Sequence, residues 1–130
     1  MKLLLPLGYL WALPNTLLGL ALAAVYASGL RWVGGCIEAS CAEVPGGQWV
    51  GAQTHGWLIL MRRDMMLDHL KRLRVHEHVH VTHQMILGIL FYPAYGAHYA
   101  WNRIVLKMDH MTAYRNVWSE RLAYKAEAKA

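Results

Sequence analysis

Hydrophobic and polar positions divide the 130-residue chain into stretches of different period. The first is uniformly apolar. Residues 3–30 hold no charged side chain, a run of 28, which suits a helix that spans or lies on a membrane. Pro6 and Pro14 interrupt it, because an internal proline removes a helix hydrogen bond and clashes with the preceding turn. Pro14-Asn15-Thr16 reads as a helix restart. The uncharged helical segment that follows, residues 15–28, is only 14 residues long, short for a span. "VYA" before Ser28 also has the look of a signal-peptide cleavage site. Membrane helix, interfacial or buried helix, and signal peptide stand in that order.

Residues 31–63 have a shorter period. Val33, Ile37, Val44, Val50 and the run Trp57-Leu58-Ile59-Leu60-Met61 are punctuated by Gly34-Gly35 and Pro45-Gly46-Gly47. This predicts two or three short strands with a hairpin near residues 45–47. From Asp64, a plausible N-cap, the period lengthens through Leu67, Leu70 and Leu73 into continuous apolar sequence. A helix is predicted to about Tyr92, where Pro93 stops it. A second helical segment follows, then a last helix over about residues 111–129. The fold class is α+β: an N-terminal apolar helical segment over residues 1–30, then a domain over 31–130 with a short antiparallel β-hairpin or meander, a histidine-bearing helix and C-terminal helices.

Composition sharpens this. The chain is 56% hydrophobic, enough for a core, and its length makes one domain the default. The net charge of +5 gathers at Arg62, Arg63, Lys71, Arg72, Arg74 and the C-terminus. No stacking platform or reader motif accompanies it, so no nucleic-acid partner is expected. A juxtamembrane or solvated face fits better. Cys36 and Cys41 read either as a small disulfide loop or as two small apolar residues. They lack the pairing of a zinc knuckle.

The chemistry lies in "RVHEHVHVTHQ", residues 74–84, which holds four of the eight histidines. His76-Glu77-His78-Val79-His80 is an HExxH motif. Helical residues four apart lie about 40° apart around the axis, so His76 and His80 can point at one ion. Glu77 sits beside them as a general base for a metal-activated water. It is the one acid between Asp68 and Asp109, and a lone acid in apolar sequence is costly unless paired or bound. His83 shares the face of His76 but lies about 10.5 Å further along the axis, too far for a shared ion. It reads as a pocket wall or a support to the ligands. His78 points to the opposite side. A catalytic zinc needs a third protein ligand. Asp109, His110 and Glu120 are candidates. Glu120, in "NVWSERLAY", lies on a predicted helix that can pack antiparallel to the motif helix, and periodicity slightly favours it. Its other reading is a helix residue paired with Lys or Arg.

These segments resemble the gluzincin class of zinc metallopeptidases, especially small bacterial zincin-like proteins with minimal catalytic domains. "HVHVTHQ" is similar to their "HELVHVRQ" form, "AQTHGWLILMRRD" to the "TLGHVVL" strand before it, and "YRNVWSERLAY" to the "NPxExxAY" element. The similarity covers residues 34–124, and HExxH is its strong motif. It implies a minimal zincin-like domain, zinc as cofactor, His76, His80 and Glu120 as ligands, and Glu77 as general base. Two departures bear on the third ligand. The family's proline after asparagine is Val117 here, and Asn116 stands four residues before Glu120 rather than three.

In zincins the strand before the helix pairs with an extended peptide substrate. That would be residues 49–61 here, with Thr54, His55 and Gly56 bordering the metal; the other reading of the segment is an ordinary edge strand. Tyr95, His98 and Tyr99 are candidate oxyanion donors. The expected function is zinc-dependent peptide-bond hydrolysis on a peptide or protein substrate. The protein is expected to be membrane-associated through residues 3–30, at a bacterial inner membrane or its periplasmic side. Two alternatives stand beside it: a non-catalytic metal- or partner-binding membrane protein with a zincin-like fold, and an intramembrane metalloprotease, suggested by the charge-free run of residues 78–102.

Overall fold

The computed structural model describes residues 5–46, 50–64 and 70–129. Two helices, α1 (Leu5–Trp11) and α2 (Leu13–Tyr26), are followed by four strands, β1 (Ala27–Val33), β2 (Cys36–Cys41), β3 (Ala52–His55) and β4 (Leu58–Arg62). The histidine-bearing helix α3 (Leu70–Leu87) continues through a 3-10 turn (Gly88–Leu90) into α4 (Phe91–Ile104). Then come α5 (His110–Arg115) and α6 (Trp118–Ala128). The class is α+β, and no helix among the described residues is long and apolar enough to cross a membrane.

The sheet order is β1-β2-β4-β3. β1 and β2 form a hairpin across Gly34-Gly35, and β3 and β4 one across Gly56-Trp57, both antiparallel, but β2 and β4 run parallel. The expected antiparallel meander is therefore corrected to a mixed sheet. Pro45 and Gly46 belong to the crossover from β2, not to a hairpin; Gly47 lies outside the described residues. The cause is visible in β4. Leu58 and Leu60 enter the core with Ala23 of α2, while Ile59 and Met61 enter the one with Val81 of α3. A strand covered on both faces carries a continuous apolar run and favours a central place. Each such side chain contributes about 1.5–3 kcal/mol by leaving water.

Two helix boundaries also differ from expectation. Gly88, at φ 59°, adopts a conformation that favours glycine and ends α3, so the helix stops before Tyr92. Pro93 then lies in the first turn of α4, where its missing N–H has no partner to lose. The last helix is two, broken at Asn116-Val117. Asp64 bonds the Arg62 guanidinium, and because Arg63 and Asp64 are both already helical, Asp64 lies within the helix start rather than capping it; residues 65–69 lie outside the described residues. Cys36 and Cys41 are free, buried thiols at opposite ends of β2, a strand length apart and too far to bond.

A buried amide network ties the helices to the β3–β4 turn. Gln84 Oε1 accepts from the Asn15 amide at 2.9 Å and from the Gly56 N–H at 2.5 Å. Gln84 Nε2 donates to the Thr54 carbonyl at 2.9 Å. Asn15 Nδ2 also donates to the Gly88 carbonyl at 2.9 Å. This fixes the β3–β4 turn against the last turn of α3, and Thr54 of β3 reaches HExxH itself through Glu77.

Candidate metal centre

α3 and α6 pack antiparallel: His76 meets Glu127 near the end of α6, and His83 meets Ser119 near its start. Helical spacing puts His76 and His80 on one face of α3, with ring centroids 5.1 Å apart. Glu120 comes between them from α6. Its Oε2 lies 3.0 Å from His76 Nε2 and its Oε1 3.1 Å from His80 Nε2. All three side chains are buried, and their ligating atoms lie within 4.8 Å of one another, a group able to hold a metal ion.

The other ring nitrogens are held as well. Glu127 Oε2 lies 2.8 Å from His76 Nδ1. A carboxylate behind a metal-facing imidazole fixes its tautomer and raises its basicity. The Ser119 hydroxyl lies 2.7 Å from both His80 Nδ1 and His83 Nδ1. It has one proton, so it donates to one ring and accepts from the other. If His80 keeps Nε2 bare for an ion, its Nδ1–H donates to Ser119, and Ser119 donates to His83.

Burial works against a charged His76, but the Glu120 hydrogen bond, the charges of Glu77 and Glu120 and the Glu127 bond raise its pKa to about 9. Burial also opposes an ionised Glu120, yet hydrogen bonds from His76 and His80 and their charge hold its carboxyl well below the usual range. An ion-pair cluster rich in carboxylates, buried and built around two imidazoles, is a setting in which a cation is at home.

Glu77 is buried beside this group, and its Oε2 accepts from Thr54 Oγ1 of β3 at 2.6 Å. Glu77, His80 and Glu120 line a cavity of about 390 Å³ with Thr54, His55, Tyr92 and Tyr95. A larger hollow of about 560 Å³, between Tyr26, Glu43, Pro45 and Arg62, holds no histidine; Glu77, His80 and Glu120 lie at the smaller one.

Of the other residues singled out in the sequence, Tyr95 reaches the site, its hydroxyl donating to Glu120 Oε1 at 2.9 Å. His98 does not: its Nδ1 accepts from the Trp118 N–H at 3.1 Å, at the start of α6. Tyr99 pairs with His110 at 2.8 Å. Asp109 caps α5 through the Thr112 N–H at 3.3 Å. Neither His110 nor Asp109 joins the group. His78 faces the Gly34 turn, and its buried Nε2 has no hydrogen-bond partner. Gly56 forms the β3–β4 turn beside Thr16 and Gln84. Sequence reasoning missed Ser119 and Glu127 as supports. Glu127 was findable: seven residues after Glu120, it shares a helix face with it. No family model, curated protein or solved structure matches the chain.

Proposed function

We propose that this protein is a zinc-dependent peptidase. The observation that carries the reading is the approach of one buried carboxylate, Glu120, to Nε2 of both His76 and His80, with Glu77 on the wall of the same cavity. Two imidazoles and a carboxylate form a donor set suited to catalytic zinc. When bound, zinc supplies a Lewis acid that polarises a scissile carbonyl and acidifies a water.

The chain's own residues do the rest. Glu127 and Ser119 orient the imidazoles. Thr54 holds one oxygen of Glu77 at 2.6 Å, and Glu77 takes the proton and passes it to the leaving amine. The Tyr95 hydroxyl, which donates to Glu120 Oε1 at 2.9 Å, would have to release that carboxylate to donate to charge developing on the carbonyl oxygen. Substrate backbone lies along β3, the edge of the sheet. Arg62 N–H bonds the Gly51 carbonyl at 2.9 Å. The antiparallel alternation then turns the backbone groups of Ala52 and Thr54 outward, as the Gln84 bond to the Thr54 carbonyl agrees. Ala52 is left to pair with a peptide. Contact with the surface of a bacterial inner membrane or its periplasmic side falls to the N-terminal helices, where Leu7, Leu10 and Leu17 are exposed.

Metal analysis of the purified chain is expected to give one zinc, lost in the His76→Ala, His80→Ala double variant. Absence of stoichiometric zinc rejects the reading. Glu77→Gln is expected to keep zinc and lose peptide hydrolysis. Zinc binding by a parent that hydrolyses no peptide favours the non-catalytic alternative instead.

A further inference from the structure

The cavity beside the histidines has a chemistry of its own. Its volume, about 390 Å³, falls at the low end of the ~300–1,000 Å³ typical of small-ligand pockets, room for one large side chain and the adjoining backbone. Phe91, Tyr92, Tyr95 and Tyr114 line it together with Val50 and Ala52. Phe91 packs at 5.5 Å from Tyr95 and 6.4 Å from His80, ring centre to ring centre.

The polar side chains Gln53, His55 and Tyr92 of the lining bond to one another. The Tyr92 hydroxyl lies 2.6 Å from His55 Nδ1, and His55 Nε2 lies 2.8 Å from Gln53 Oε1. Gln53 Nε2 donates to the Pro45 carbonyl at 3.2 Å. Gln53 Oε1 can only accept, so His55 carries its proton on Nε2 and Nδ1 accepts from Tyr92. Burial lowers the His55 pKa to about 4, so this part of the lining is neutral at pH 7. No lysine or arginine lines the cavity among the described residues. An acidic side chain would meet no cation there. A basic one would find its anions, Glu77 and Glu120, already held by Thr54, Tyr95 and the histidines. The smaller hollow on the other side of Glu77, about 210 Å³, is different: Arg115 and Glu127 line it.

We propose that the aromatic cavity is the subsite for one residue flanking the scissile bond, and that it selects a large uncharged side chain, aromatic or aliphatic. This rests on the peptidase reading above. Burying such a side chain against apolar walls favours it, while an unpaired charge is disfavoured.

Two arms test it. In the first, zinc-loaded parent protein digests a peptide mixture and the cuts are mapped by mass spectrometry. Phe, Tyr, Leu or Met is expected at one fixed position beside the cut. In the second, zinc-loaded Glu77→Gln protein is titrated with short peptide hydroxamates that differ in one side chain. Phe and Leu are expected to bind roughly tenfold to a hundredfold more tightly than Ala or Asp. Gly96 stands on the cavity wall, and a Cβ there would meet no atom within 4 Å. Gly96 is exposed, so Gly96→Leu is expected to crowd the rim of the cavity and to shrink the Phe-over-Ala ratio. Equal binding of all side chains, or a preference for Asp or Lys, overturns the subsite and leaves peptide hydrolysis standing. Selective hydroxamate binding by a zinc-loaded parent that cuts nothing removes the hydrolytic reading and supports the selectivity of the cavity.

Discussion

Ser119 stands 2.7 Å behind His80 Nδ1, on the side of the ring away from Glu120. It is fully buried, and it meets His83 at the same distance. The hydroxyl therefore sets which nitrogen of His80 is free to face an ion. Ser119→Ala is expected to weaken zinc binding about tenfold to a hundredfold, the usual cost of losing such a support. A competition titration against a zinc chelator reads this directly. Unchanged affinity in a folded variant would show that Ser119 has no part in the site.

The metal-free protein is expected to be most stable near pH 6.5. The His76 pKa rises from 6.5 to about 9 on folding, so its contribution is present below 6.5 and is lost as pH climbs through 9. A shift of that size corresponds to something on the order of 3 kcal/mol. His55 has the opposite sign. Its folded pKa is about 4, so its contribution is present above 6.5 and is lost as pH falls toward 4. Glu120, held low, fails only in stronger acid. Urea unfolding in the presence of a chelator at pH 5, 6.5 and 9 tests this. A midpoint rising steadily from pH 6.5 to 9 contradicts the assignment of His76. Zinc affinity runs the other way across that range and is expected to increase with pH, because binding displaces the proton.

Gly56 cannot carry a side chain. Its φ is 64°, and a Cβ would stand 2.7 Å from the Ala12 carbonyl oxygen and 2.8 Å from the Thr16 nitrogen. Gly56→Ala is expected to cost about 2–5 kcal/mol, combining left-handed strain with overpacking. Gly96→Ala, in open space on a helix, is expected to gain up to about 1 kcal/mol. Thermal unfolding of the two variants side by side separates them; equal midpoints would refute the packing argument.

Gln84→Leu keeps the volume and removes the amide. The Gly56 N–H and the Thr54 carbonyl lose their Gln84 partners, and Asn15 keeps its bond to Gly88. At about 1–3 kcal/mol for each stranded buried group, the loss is expected to reach roughly 3 kcal/mol. A loss under about 1 kcal/mol in chemical denaturation would mean that water reaches these groups.

How the candidate site was legible follows from distance along the chain. His76 and His80 share a face because four residues make about one turn, and Glu77 is their neighbour. His78 faces away for the same reason. Glu120 was one of three open choices, and His110 and Asp109 could not be dismissed by spacing. The sheet was harder. Strands were expected in residues 31–63, but period and turn residues do not say whether β2 meets β3 or β4.

The amino-acid order by itself determined the α+β class, the long helix carrying HExxH and the pairing of His76 with His80. Each depends on residues within a turn or two of one another. Only the tertiary structure decided the rest: the parallel β2–β4 pair, the two-sided burial of Leu58–Met61, and the meeting of Glu120, Glu127 and Ser119 with the histidines. These contacts join residues tens of positions apart. Which of many chemically similar carboxylates reaches an imidazole depends on how α6 packs on α3, and that packing is set by the shape and burial of whole helix faces rather than by any local signal.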